Sequence, residues 1–161
     1  MKKRILSALG SLMVFCMVMG VSVVSAEASE GKIVDGSYLT TDETSTGYSG
    51  PRTKGVYLMD GECSITKAGR NRVYAYASTT ANQEVKYMAT IVYVDQYQED
   101  QDEWWQIDAW MVEAENDYYL STAKTITVDR GYYYRVRAHH LAGDSNPYDE
   151  TASFTDGILV P

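Results

Sequence analysis

Tyr132-Tyr133-Tyr134-Arg135-Val136-Arg137-Ala138-His139-His140-Leu141 is the stretch whose reading decides the fold. Successive side chains of a β-strand point to opposite faces. Tyr134, Val136 and Ala138 then share one face, while Arg135, Arg137 and His139 share the other. One face is apolar and the other is wet, which is the pattern of a strand buried on one side.

Upstream of this run stand Ile126 and Val128, then Asp129-Arg130-Gly131. An apolar strand end, a glycine-containing turn and then Tyr-x-Val-x-Ala resemble the E–F corner of fibronectin type III and related domains. That resemblance implies that Tyr134 is a corner tyrosine. Its hydroxyl would bond the backbone upstream while its ring packs in the core.

The same texture extends in both directions. Short runs rich in Val, Ile, Thr, Tyr and Trp cover Cys63–Lys67, Arg72–Ser78, Val85–Tyr97, Trp104–Glu113, Tyr119–Val128, Tyr132–Leu141 and Thr151–Val160. Breaks carrying Gly, Asn, Asp or clustered charge separate them, and this spacing predicts a sandwich. No segment after residue 26 sustains a 3.6-residue apolar stripe, and the 14 tyrosines suit pleated strands. The expected fold is an all-β, seven-stranded antiparallel immunoglobulin-like β-sandwich over residues 56–161. Val56-Tyr57-Leu58-Met59 would pair at a sheet edge, and Asp60-Gly61 would turn the chain.

Residues 27–55 are rich in Gly, Ser and Thr. Thr40-Thr41-Asp42-Glu43-Thr44-Ser45-Thr46-Gly47 holds too little apolar surface to offset its ordering entropy, so a flexible arm or a loosely docked leader is expected, with Ile33-Val34 and Tyr38-Leu39 able to dock locally. Before it, Met1-Lys2-Lys3-Arg4 leads into an apolar stretch, Ile5 to Val24, that ends at Val24-Ser25-Ala26. Basic start, apolar middle and small residues at a cleavage position describe a signal peptide over residues 1–26. The protein is therefore expected to be secreted and extracellular, with no membrane attachment after cleavage.

The expected mature chain, 27 to 161, has 135 residues, one domain with enough length for a core. It keeps all 22 acidic residues and 11 of the 14 basic ones, a net charge of −11. Such a surface repels phosphate backbones, which argues against nucleic acid as a partner. Cys63 is the one cysteine left after cleavage, so no internal disulfide can form.

A wider resemblance rests on Tyr93-Val94-Asp95-Gln96-Tyr97, the pair Trp104 and Trp110, Gly131-Tyr132-Tyr133-Tyr134-Arg135-Val136, and Thr155-Asp156-Gly157-Ile158. Together they resemble an uncharacterised family of small secreted proteins from Gram-positive bacteria. That family has no assigned activity. The resemblance implies fold and location and transfers no functional residue.

Candidate chemistry is sparse. His139 and His140 are adjacent, so a regular strand points them to opposite faces and they cannot chelate one ion. No Gly-x-Ser-x-Gly elbow exists, and nothing local pairs Cys63 with a base. Glu99-Asp100-Gln101-Asp102-Glu103 reads as a solvated hairpin tip. Asp144-Ser145-Asn146 with Asp149 and Glu150 is a weaker calcium candidate. No catalytic residue, metal or cofactor is therefore expected.

The tryptophans are the best binding candidates. In Trp104–Glu113, alternation gives Trp105, Ile107, Ala109 and Met111 one uniformly apolar face, expected in the core. Trp104, Gln106, Asp108, Trp110 and Val112 form a mixed face. If exposed, Trp104 and Trp110 would lie about 20 Å apart on one strand and suit sugar rings or a partner protein. Tyr133, Arg135 and Arg137 would form a second wet stripe. The expected function is a non-catalytic extracellular module binding a protein or glycan. The alternatives are a secreted antimicrobial or toxin-like effector, or a carbohydrate hydrolase working through carboxylates near the hairpin.

Overall fold

The computed structural model describes residues 30–49 and 56–161. The expected signal peptide, residues 1–26, with residues 27–29 and 50–55 of the expected arm, lies outside the described residues. Eleven strands follow in chain order: β1 (Ile33–Val34), β2 (Ser37–Thr40), β3 (Thr44–Tyr48), β4 (Leu58–Lys67), β5 (Arg72–Val85), β6 (Tyr87–Gln98), β7 (Glu103–Ala114), β8 (Asp117–Thr127), β9 (Tyr132–Gly143), β10 (Asp149–Phe154) and β11 (Gly157–Val160). The larger sheet runs β1-β2-β11-β9-β6-β7, with β10 also paired to β9, and the smaller runs β3-β4-β5-β8. Among the described residues no helix forms.

The stretch 132–141 lies in β9, which pairs with β6, β10 and β11. Its apolar face looks into the space between the sheets. There Tyr134, Val136 and Ala138, with Val92 and Val94 of β6, pack against Cys63, Ile65, Val73 and Ala77 of β4 and β5. Burying each such Val or Ile side chain contributes roughly 1.5–3 kcal/mol. The Tyr134 hydroxyl donates to the carbonyl of Asp129 at 2.8 Å. Gly131 supplies the turn with φ 85°, a conformation that side chains disfavour. The corner hydrogen bond that the resemblance implies is therefore present.

Other expectations need correction. Among the described residues there are eleven strands rather than seven, and the pairing is not wholly antiparallel. β2 runs parallel to β11, with Gly157 opposite Leu39 and Ile158 opposite Thr40. Residues 30–49, read as a loose leader, supply three strands to the two sheets. Their Gly-Ser-Thr texture hid the partners that order them. All five residues of β3 pair with β4, Leu39 is fully buried, and the Ser37 hydroxyl donates to the Thr155 carbonyl at 2.7 Å. Asp60-Gly61 makes no turn and lies within β4 beside a register shift. The last apolar run is two strands, split at Thr155-Asp156.

Candidate functional site

The expected binding strand, β7, is an edge of the larger sheet, and one inserted residue governs its faces. Trp110 pairs with Val92 and Asp108 with Val94, but Gln106 pairs with Asp95 and Trp104 with Tyr97. Ile107 is the extra residue, a β-bulge. Two-residue alternation therefore breaks there. Trp110 faces the core and donates from Nε1 to Thr122 Oγ1 at 3.0 Å. Trp104 lies on the outer face against Tyr97, Tyr133, Leu159 and the β1–β2 hairpin. The two tryptophans do not form one shelf.

The supposed core face is the exposed one. Trp105 is 47 % exposed, Ile107 41 % and Met111 51 %. Beyond the bulge Ala109 and Met111 lie on the outer face, opposite the core-facing Trp110, whereas Trp105, before it, lies on the face opposite Trp104. Among the described residues no strand pairs with the far side of β7.

The supposed wet stripe on β9 is mostly covered. Tyr133 is 3 % exposed and Arg135 2 %. The β1–β2 hairpin reaches over the outer face, and Trp104 Nε1 donates to the Val34 carbonyl at 3.0 Å. Beneath the hairpin, Arg135 Nε donates to Asp95 Oδ2 at 3.0 Å. Its Nη1 donates to the Asp35 carbonyl and the Ser37 hydroxyl, and its Nη2 pairs with the Asp35 carboxylate at 2.8 Å. Its guanidinium lies 4.5 Å from the Trp104 ring centroid. Arg137 grips Asp95 with two bonds, 2.6 and 3.0 Å, and lies 4.8 Å from the Tyr93 ring centroid. Asp95 thus holds two guanidinium groups, each stacked on an aromatic ring.

Hydrogen-bonding demand explains this arrangement. A buried guanidinium carries five N–H donors and is costly unless they are satisfied. Strand alternation sets Asp95 of β6 directly opposite Arg135 of β9. The hairpin turn then delivers the Asp35 acceptors.

Around this lattice lies a shallow cleft of about 400 Å³, lined by Val34, Asp35, Asp95, Asp102, Trp104 and Arg137 among others. Trp104, Arg135 and Arg137 meet there, whereas Trp110 does not reach it and Tyr133 lies buried in the adjoining cluster. Gly157 is needed under Trp104, because a Cβ would come within 2.5 Å of the indole. At the rim, Lys32 pairs with Asp102 at 2.7 Å and Tyr97 donates to the same carboxylate at 2.8 Å. These bonds, that of Lys32 foremost, hold the Asp102 carboxyl below the usual range. Asp35 and Asp102 stay exposed at the cleft, each already paired with a cation, Arg135 and Lys32.

The remaining candidates serve the fold. His139 is partly exposed, 3.1 Å from Glu150. His140 is fully buried, its Nδ1 2.9 Å from Thr79 Oγ1 and its Nε2 2.8 Å from Ser153 Oγ. Burial lowers its pKa to about 4. Cys63 is buried, and desolvation pushes its thiol up to about 11. Asp144 accepts from the Lys86 amide and Asp149 from those of Tyr57 and Leu58, so both carboxylates tie backbone together. Among the described residues no group of three or more His, Cys, Asp or Glu is placed to hold a metal.

Sequence reasoning passed over Asp95 and Asp35. A lone carboxylate inside the apolar run Tyr93–Tyr97 was the available signal for Asp95, and for Asp35 there was none. No protein-family model matches the chain, and a search of curated proteins finds no match.

Proposed function

We propose that this protein is a secreted, non-catalytic binding module on an immunoglobulin-like sandwich, contacting an extracellular protein or glycan through β7 and the adjoining cleft. The observation that carries the reading is the exposure of Trp105, Ile107 and Met111 on an edge strand that no described strand pairs on its far side, Trp105 and Met111 lying on opposite faces across the bulge. Solvent-exposed apolar side chains along a free strand edge invite association, and folded chains retain them where they are used. The Tyr134 corner supports the immunoglobulin-like kinship.

The cleft lends less support to a hydrolase. Hydrolysis through paired carboxylates needs one of them protonated near neutral pH. Lys32 and Tyr97 shift Asp102 the opposite way, and both oxygens of Asp95 are held by arginines.

Glycan arrays and pull-downs with the chain from residue 27 onward test the reading, compared with a Trp105→Ala/Met111→Ala variant. A ligand retained by the parent and lost by the variant is the expected result. No ligand in either format, or one that binds both proteins equally, overturns it.

A further inference from the structure

The geometry points to the regular part of the β7 edge, Asp108–Ala114, as a docking site for an extended basic peptide segment that adds to the larger sheet as a strand. The inference rests on the binding-module reading and deepens it by naming the partner's chemistry.

Three observations converge. β7 ends its sheet, so alternate N–H and C=O groups along it face away from β6. Beyond the Ile107 bulge, seven consecutive residues keep unbroken register with β6, from Asp108 opposite Val94 to Ala114 opposite Met88. An added strand therefore meets a regular template there. Ala109 and Met111 are exposed along this stretch and offer an apolar seat for alternate side chains.

Charge selects the occupant. Between Tyr87 and Ala123 the chain carries nine carboxylates and no Lys, Arg or His. Asp95, Asp102 and Asp108 among them are met by Arg135 and Arg137, by Lys32 and by Lys124, so the excess at this edge comes from the others, Glu113, Glu115 and Asp117 nearest. Within β7 the charged residues are Glu103, Asp108 and Glu113, and the turn after it brings Glu115 and Asp117. The nearest cation, Lys124, is held by Asp108 at 2.6 Å. A second copy of this chain would set acidic edge against acidic edge, which is destabilising. A segment alternating basic and apolar residues would match both the field and the Met111 seat.

The test uses the chain from residue 27 onward and three end-capped synthetic peptides about eight residues long, a length suited to strand addition. One alternates Lys and Val. The second has the same charge but a central Val replaced by Pro. The third alternates Glu and Val. Isothermal titration gives affinity, and hydrogen exchange locates the site. The Lys-Val peptide should bind and slow exchange at alternate amides of Asp108–Ala114. Its affinity should fall as salt rises. The Pro peptide should bind roughly tenfold more weakly or worse, because it cannot complete the ladder. The Glu-Val peptide should not bind. Met111→Lys should weaken the Lys-Val peptide by about tenfold through lost contact and added repulsion.

Equal binding of the Lys-Val and Pro peptides would reduce the effect to charge attraction and overturn strand addition. Protection mapping elsewhere would do the same. A dimer in sedimentation that Met111→Lys dissolves would assign the edge to a second copy and also overturn it. A glycan or protein ligand found without any binding of the Lys-Val peptide would sink this inference and leave the binding-module reading standing.

Discussion

The guanidinium of Arg135 lies 4.5 Å from the Trp104 ring centroid while its Nε donates to Asp95 Oδ2 at 3.0 Å. This three-layer contact of hairpin, arginine and indole clasps the N-terminal strands to the larger sheet. Removing one partner of a buried ion pair strands the other without compensation. Asp95→Ala should therefore cost about 3–5 kcal/mol. Arg135→Met should cost less, because Arg137 still neutralises Asp95. Urea unfolding of the three proteins checks the order. Limited proteolysis should cut residues 30–49 first in both variants.

Tyr134→Phe isolates the corner hydrogen bond. The ring still packs, and only the donation to Asp129 is lost. The expected loss is about 0.5–1.5 kcal/mol. Tyr134→Ala also empties a core position and should cost about 3–5 kcal/mol. A chemical-denaturation midpoint unchanged in Tyr134→Phe would show that the corner bond contributes nothing net.

His140 makes stability depend on pH in a defined window. Its folded pKa is about 4, against an ordinary value of 6.5. Between these values the unfolded chain binds a proton that the folded chain refuses. Stability from this group is present above pH 6.5 and is lost as pH falls toward 4, by roughly 3 kcal/mol in all. The slope of unfolding free energy against pH should flatten in a His140→Gln variant. Parallel slopes in the two proteins would refute the assignment.

The three tryptophans should separate cleanly by quenching. Iodide or acrylamide should quench Trp105 strongly and reach Trp104 and Trp110 poorly. Trp105→Ala should change stability by no more than about 0.5 kcal/mol. Trp110→Ala, packed on the core, should cost about 3 kcal/mol. Similar costs for both would reverse the faces assigned to β7.

What could be read beforehand followed the range of the interactions involved. Tyr134, Val136 and Ala138 alternate within one strand, and the corner needs only the preceding turn, so both were legible. The burial of Arg135 depends on Asp35, 100 residues away in sequence, and no local pattern announces it. The Ile107 bulge carries neither Gly nor Pro to mark it. That single inserted residue moved Trp104 to the face opposite Trp110 and left Ile107 and Met111 in water. The strands β1 to β3 escaped because their residues are small and polar. Their order comes from partners such as β11 and β4 rather than from their own hydrophobicity.

The parallel seam between β2 and β11 has a consequence for how the molecule assembles. Tyr38 donates its amide to the Asp156 carboxylate, and Ser37 donates to Thr155, each across 118 residues of chain. A polypeptide emerging amino end first must keep its opening hairpin waiting until the final strand arrives. Long-range closure of this kind is slow, because loop entropy is lost before contacts compensate. The larger sheet cannot be completed until β11 has formed, because a chain stopped short of Gly157 leaves β2 without its parallel partner.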